Sequence, residues 1–137
     1  MTTNQVSTYL KYANVQIAAE ALFVLRDQAP GSTFAGPIKP SVLTTGNERS
    51  SKFSDVLAEQ FSKDWIVVEQ KSDTTTGFSA TLFKCLTDDP TRGLVQGELV
   101  MSFRSTEFAD DAARDNQETN KQEIKAFGWA FGQIDDM

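Results

Sequence analysis

Gly97-Glu98-Leu99-Val100-Met101-Ser102-Phe103-Arg104-Ser105-Thr106-Glu107 is the stretch whose reading decides the fold. Leu99, Met101 and Phe103 alternate with Val100 and Ser102, the two-residue period of a strand with at least one buried face. The apolar run breaks at Arg104-Ser105-Thr106-Glu107 into polar, helix-compatible sequence. A buried strand that delivers a polar turn at its C-terminal end is where α/β folds put ligands and oxyanion-binding amides. The same turn also reads, more simply, as the end of a strand and the cap of a helix.

Working upstream, residues 78–85 alternate in the same way, with Phe78, Ala80, Leu82 and Lys84 on one face and Thr81, Phe83 and Cys85 on the other. Residues 87–93 connect that run to the organising strand. Trp65-Ile66-Val67-Val68-Glu69-Gln70 is a third, β-branched run, and 72–77 is a polar turn of Ser, Asp, Thr and Gly. These runs predict a small three-stranded antiparallel meander packed with three to four helices, an α+β chain in one domain over 1–137.

The helices come from the 3.6-residue period. Residues 5–27 read as one long helix with Val6, Leu10, Ala13, Ile17, Ala21 and Val24 on its buried face, stopped by Ala29-Pro30-Gly31. Its polar face lacks the Lys and Arg richness of membrane-surface helices. A second helix begins at Ser51, capped by Ser50 or Ser51, carries Phe53, Val56, Leu57, Gln60 and Phe61 on one side and ends near Lys63-Asp64. Between these helices, 30–51 is rich in Pro, Gly, Ser and Thr and reads as a long loop, either a lid or an irregular wrap from which Val42 and Leu43 touch the core. At the other end, Thr119 or Asn120 caps a helix that buries Ile124, Phe127, Phe131 and Ile134, with Gly128 and Gly132 one turn apart for close packing.

Composition narrows the function. With 39% hydrophobic and 23% charged residues, the chain has the balance of a soluble globular protein. A net charge of −6 with scattered Lys and Arg argues against a nucleic-acid partner. Cys85 is the single cysteine, so no internal disulfide forms; without His or a second Cys nearby in sequence it reads as a small core hydrophobe. The opening residues lack the charged and apolar regions of a cleavable signal peptide, which fits a cytoplasmic protein or one secreted without such a signal. No Gly-rich phosphate loop or metal-ligand spacing is present, and no cofactor is expected. Among Asp110, Asp111, Arg114 and Asp115, the acidic groups read either as hard ligands for calcium or as partners of Arg104 that hold the turn in place.

Leu99-Val100-Met101-Ser102-Phe103-Arg104-Ser105-Thr106-Glu107 resembles the V-x-F-R-G-[ST] strand and turn of class 3 lipases and related lipase-like α/β-hydrolases. Residues 76–83 resemble the preceding strand of bacterial members, and 107–111 through 127–133 resemble the segment that lies after the turn in those proteins. The resemblance implies that Thr106, with Ser105 beside it, contributes to an oxyanion hole, and that Arg104, Asp111 and Asp115 support the turn. Ser105 stands where the family usually has Gly, a position that strains Ser if φ is positive there.

No Gly-x-Ser-x-Gly elbow occurs, and the chain has no histidine to take a serine proton. In the family the elbow lies further along than Met137. The resemblance therefore implies an N-terminal portion of a longer ester hydrolase, inactive alone. Its partners would be the remainder of the hydrolase chain and a lipid or ester substrate, and its uncovered sheet would self-associate in isolation. The alternative from physics alone is a non-catalytic α+β interaction module.

Overall fold

The computed structural model describes residues 3–24, 32–46, 52–71 and 79–104. In chain order these form α1 (Thr3–Ala19), β1 (Thr33–Pro37), α2 (Pro40–Thr45), α3 (Asp55–Asp64), β2 (Trp65–Lys71), β3 (Ala80–Cys85), a 3-10 turn (Pro90–Arg92) and β4 (Leu99–Phe103). The strands make one antiparallel sheet in the order β1-β2-β3-β4. The α+β class and the meander agree with the sequence, but among the described residues the sheet has four strands where three were expected. The helix expected from Thr119 lies outside the described residues.

The extra strand comes from the segment expected to be a loop. Gly36 and Pro37 disguise β1, yet Pro37 is tolerated because β1 is an edge, where a missing N–H need not break a ladder. Pro40 then starts α2 in the first turn, where its absent N–H is one the helix leaves unbonded anyway. Leu43 of α2 is buried and Val42 packs partly against the core, as the sequence implied. The start of α3 is also corrected: Ser54, not Ser50 or Ser51, is the cap, its hydroxyl accepting from the Leu57 amide at 3.3 Å. Phe53 sits just ahead of the helix and is buried, whereas Val56, expected on the apolar side, is exposed.

A bulge decides which side of β2 faces inward. Val67 pairs with Phe83 and Glu69 with Leu82, so Val68 is an extra residue on β2. Strict alternation from Trp65 and Val67 would have buried Glu69. The added residue turns Glu69 outward and puts Gln70 inside, fully buried, opposite Thr81.

On the inner face Phe83 is the centre. Its ring meets Phe23 and Phe61 edge-on at centroid distances of 6.2 and 5.8 Å, and Phe61 stacks on Trp65 at 5.8 Å. Thr81, Phe83 and Cys85 share this buried side of β3, as the alternation predicted. Helices α2 and α3 pack together on the β2 side, while α1 lies against β3, β4 and the 3-10 turn.

The long first helix is shorter than expected and rotated. It ends at Ala19, where the Glu20 and Ala21 amides close on Ile17 and Ala18 carbonyls in 3-10 fashion. Lys11, Val15, Ala18 and Ala19 are buried, whereas Val6 and Leu10, assigned to the core by their spacing, are 50% and 59% exposed. Two causes favour this rotation. The small Ala18 and Ala19 let the helix approach closely, and Lys11 loses no charge partner: its Nζ donates to Glu98 Oε2 at 2.9 Å and Gly93 O at 2.9 Å.

The chain leaving α1 is fastened by Gln70. Its Oε1 accepts from the Phe23 amide at 2.7 Å, and its Nε2 donates to Ala21 O at 2.9 Å and Thr81 Oγ1 at 2.8 Å. Cutting this side chain leaves a backbone donor and acceptor unpaired in a dry interior. Gln70→Ala should therefore destabilise the fold by about 3 kcal/mol, read as a lower urea midpoint at an unchanged slope. Gln70→Met, which keeps the volume, should still cost about 2 kcal/mol. A loss below about 1 kcal/mol for both would show that the three bonds do not hold the segment.

Candidate functional site

The polar turn indicated by the sequence leaves the sheet at the end of β4, and the described residues around that exit are tied down from two sides. The Arg104 amide donates to Ser79 O at 3.0 Å, extending the β3–β4 ladder by one bond. Its guanidinium Nε donates to Glu20 O at 3.1 Å, just past the end of α1. A cation there also meets the negative end of the helix dipole. One residue earlier, Gln16 of α1 donates from Nε2 to Phe103 O at 2.8 Å, and its Oε1 accepts from the Ser102 hydroxyl at 2.7 Å. The backbone from Ser102 to Arg104 is thus held by α1 and β3 together.

Of the sequence-predicted site residues, Arg104 is at this exit. Ser105, Thr106, Asp111 and Asp115 lie outside the described residues. Gln16, Glu20 and Ser79, which surround the exit, were not anticipated. Gln16 and Glu20 lay within a helix read for its apolar stripe, and Ser79 at the mouth of a strand looked like an ordinary turn residue. Among the described residues, the buried Ser79 hydroxyl meets no hydrogen-bond partner. Buried hydroxyls are normally satisfied, which makes this the least settled polar atom at the exit.

A second polar cluster lies at the opposite end of the strands. Asp64, closing α3, accepts from Thr87 Oγ1 at 2.8 Å and from Arg92 at 2.6 Å. Arg92 also donates from Nε to Asp89 Oδ2 at 2.7 Å, so one guanidinium joins two carboxylates and keeps its proton more firmly than an ordinary arginine. Asp89 caps the 3-10 turn by accepting from the Thr91 amide and hydroxyl at 3.1 and 2.6 Å. These bonds, the Thr91 hydroxyl first and Arg92 next, hold its carboxyl down at about 2. Gly93 ends the turn at φ +69°, and a Cβ there would meet the backbone of Ser7 and Thr8 at 3.5 Å. That distance is ordinary contact, so it is the left-handed backbone at this position that suits glycine.

Between α1, α3 and this turn is a cleft of about 300 Å³ lined by Leu10, Lys11, Phe61, Asp64, Trp65 and Arg92. Its charges are already paired, Arg92 with Asp64 and Lys11 with Glu98, so it offers shape more than chemistry. Cys85, behind it, is fully buried and donates to Thr87 O at 3.2 Å. Burial pushes its thiol up from the ordinary value, the state of a packing residue and not a nucleophile. Among the described residues, no cluster of acidic, Cys or His groups could hold a metal ion, and no helix is long and apolar enough to cross a membrane.

Comparison with protein-family models, with curated proteins and with solved structures finds no match to this chain. Fold and site therefore rest on the residues themselves.

The Asp89 cluster makes a pH prediction. Its carboxyl is more acidic when folded than its ordinary value of 3.8. Ionisation of Asp89 thus favours the folded state above that value, and the gain is lost as pH falls toward about 2. Urea unfolding at pH 5, 4, 3 and 2.5 should show a steeper loss for the wild type than for Asp89→Asn. Parallel curves would mean that ionisation of Asp89 contributes nothing to stability.

Proposed function

We propose that this chain is the N-terminal portion of a lipase-like carboxylic ester hydrolase, supplying the oxyanion turn and part of the sheet. The supporting observation is the anchored exit of β4. An oxyanion-binding amide works only if it is aimed before the substrate arrives, because its value lies in preorganisation. Arg104, bonded through its backbone to Ser79 and through its side chain to Glu20, provides such an anchor immediately before Ser105 and Thr106.

In this reading the Thr106 amide, aided by its hydroxyl, faces the oxygen that gains charge as the ester carbonyl becomes tetrahedral. Arg104 is a positioning residue, with Asp111 and Asp115 supporting the same turn. The serine nucleophile and its histidine come from the remainder of the hydrolase, since this chain has no histidine. The substrate is a lipid or another carboxylic ester.

Two measurements test this. Residues 1–137 alone should hydrolyse p-nitrophenyl esters no faster than an unrelated protein. Joined to the coding sequence downstream of it, the chain should hydrolyse them, and Thr106→Pro, which removes the amide, should lower kcat by about 10²–10³-fold, or roughly 2.7–4 kcal/mol. Thr106→Val, which removes only the hydroxyl, should lower kcat no more than Thr106→Pro does; folding of both is checked by circular dichroism. Wild-type kcat in both variants would remove Thr106 from the oxyanion hole. Absence of hydrolysis in the longer protein would leave the non-catalytic interaction module.

A further inference from the structure

Along β4 the outer face of the sheet is apolar where an antiparallel sheet facing water would be polar. Cross-strand register puts Leu99 beside Lys84, Met101 beside Leu82 and Phe103 beside Ala80 on this side. Leu99, Met101 and Phe103 are 58%, 55% and 44% exposed, and Val68, lifted by the bulge, adds a fourth exposed apolar residue. The inward partners on β4 are Val100 and Ser102, so the strand sends its larger apolar side chains away from the core. A contiguous patch of this kind usually marks a surface that something covers.

We propose that its occupant is this chain's own segment 119–134. Ile124, Phe127, Phe131 and Ile134 recur at helical spacing and give that segment one apolar side. Gly128 falls on the same side and would let a backbone come close to the strands. The chain leaves the described structure at Arg104, on the rim of the patch. Residues 105–118 intervene, and at ~3.3 Å per extended residue they reach well beyond the ~17 Å length of a five-residue strand, so the return is easily spanned.

Tethering also favours this occupant over a second copy, because a short linker presents its segment at an effective concentration near the millimolar range. The outer face also carries charge of both signs, Lys84 beside Leu99 and Glu69 beside Leu82. Both apolar surfaces leave water in one step, whether or not a catalytic half comes later in the chain.

Paired cysteines in the full 137-residue chain test the contact. Met101→Cys is combined with Phe127→Cys or with Phe131→Cys, and as a control with Gln133→Cys, on the opposite side of the helical period. The native Cys85 is fully buried and stays out of reach in the folded protein. Dilute protein is oxidised with copper-phenanthroline and read by non-reducing electrophoresis and intact mass. At least one of the first two pairs should close within a single chain, at least tenfold faster than the control. Disulfide-linked dimers as the main product would assign the face to a second copy, and equal rates for all pairs or no closure would overturn the proposal. Circular dichroism and the unreactivity of Cys85 report folding; where Met101→Cys fails, Leu99→Cys replaces it with the same expected outcomes.

Discussion

A single buried carboxamide, that of Gln70, decides how the first helix meets the sheet. Backbone groups that leave a helix must be paired, and the turn after α1 lies in the interior where water cannot supply partners. Gln70 offers one acceptor and two donor positions on a side chain of fixed shape, and all are used by the Phe23 amide, the Ala21 carbonyl and the Thr81 hydroxyl. The bulge at Val68 is what makes this residue available. The placement of Phe23 between Phe34 and Phe83 comes from the same fastening, with ring centroids at 5.8 and 6.2 Å.

Beside Gln70 runs a polar row through an otherwise apolar layer: Gln70, Thr81 and Ser102 lie side by side on three strands. Each finds a partner from α1 or the segment after it or from its neighbour in the row, Gln16 serving Ser102 at the far end. Such a row is harmless only if complete, since a half-paired interior network costs more than apolar packing. The completed row also specifies register. Slipping β4 by one residue would withdraw Ser102 from Gln16 and bring Met101 or Phe103 inward.

The parts of the fold legible in the sequence were those written in simple periods. β3, its inward side and β4 came from alternation, β2 from a β-branched run, and the packing role of Cys85 from the lack of a His or second Cys near it. β1 was hidden because Gly36 and Pro37 are poor strand formers, permitted only by its edge position. The face of α1 was misassigned because counting apolar residues cannot foresee that Lys11 is buried against Glu98 while Leu10 borders a cleft. Nor does the alternation in β4 say which side faces the core: the bulkier set lies outward, and only the neighbouring strand's register decides it. At the exit of β4, Arg104 was legible as a residue worth attention; its anchors on α1 and β3 were not, because they come from residues far along the chain.

That distance has a consequence for how the molecule is made. The hydrogen bonds that seat α1 on the later strands reach forward 82 to 87 residues: Ser7 to Thr91, Lys11 to Gly93 and Glu98, Gln16 to Ser102 and Phe103, and Arg104 back to Glu20 at a separation of 84. Helices in proteins draw most of their stability from tertiary packing, and the 17 residues of α1 are no exception. At a synthesis rate of about 5–20 residues per second, roughly 4–17 s separate its emergence from that of its partners. Of the described elements, the helix made first is consequently among the last to be seated, and until Glu98 emerges its buried lysine has no carboxylate to meet.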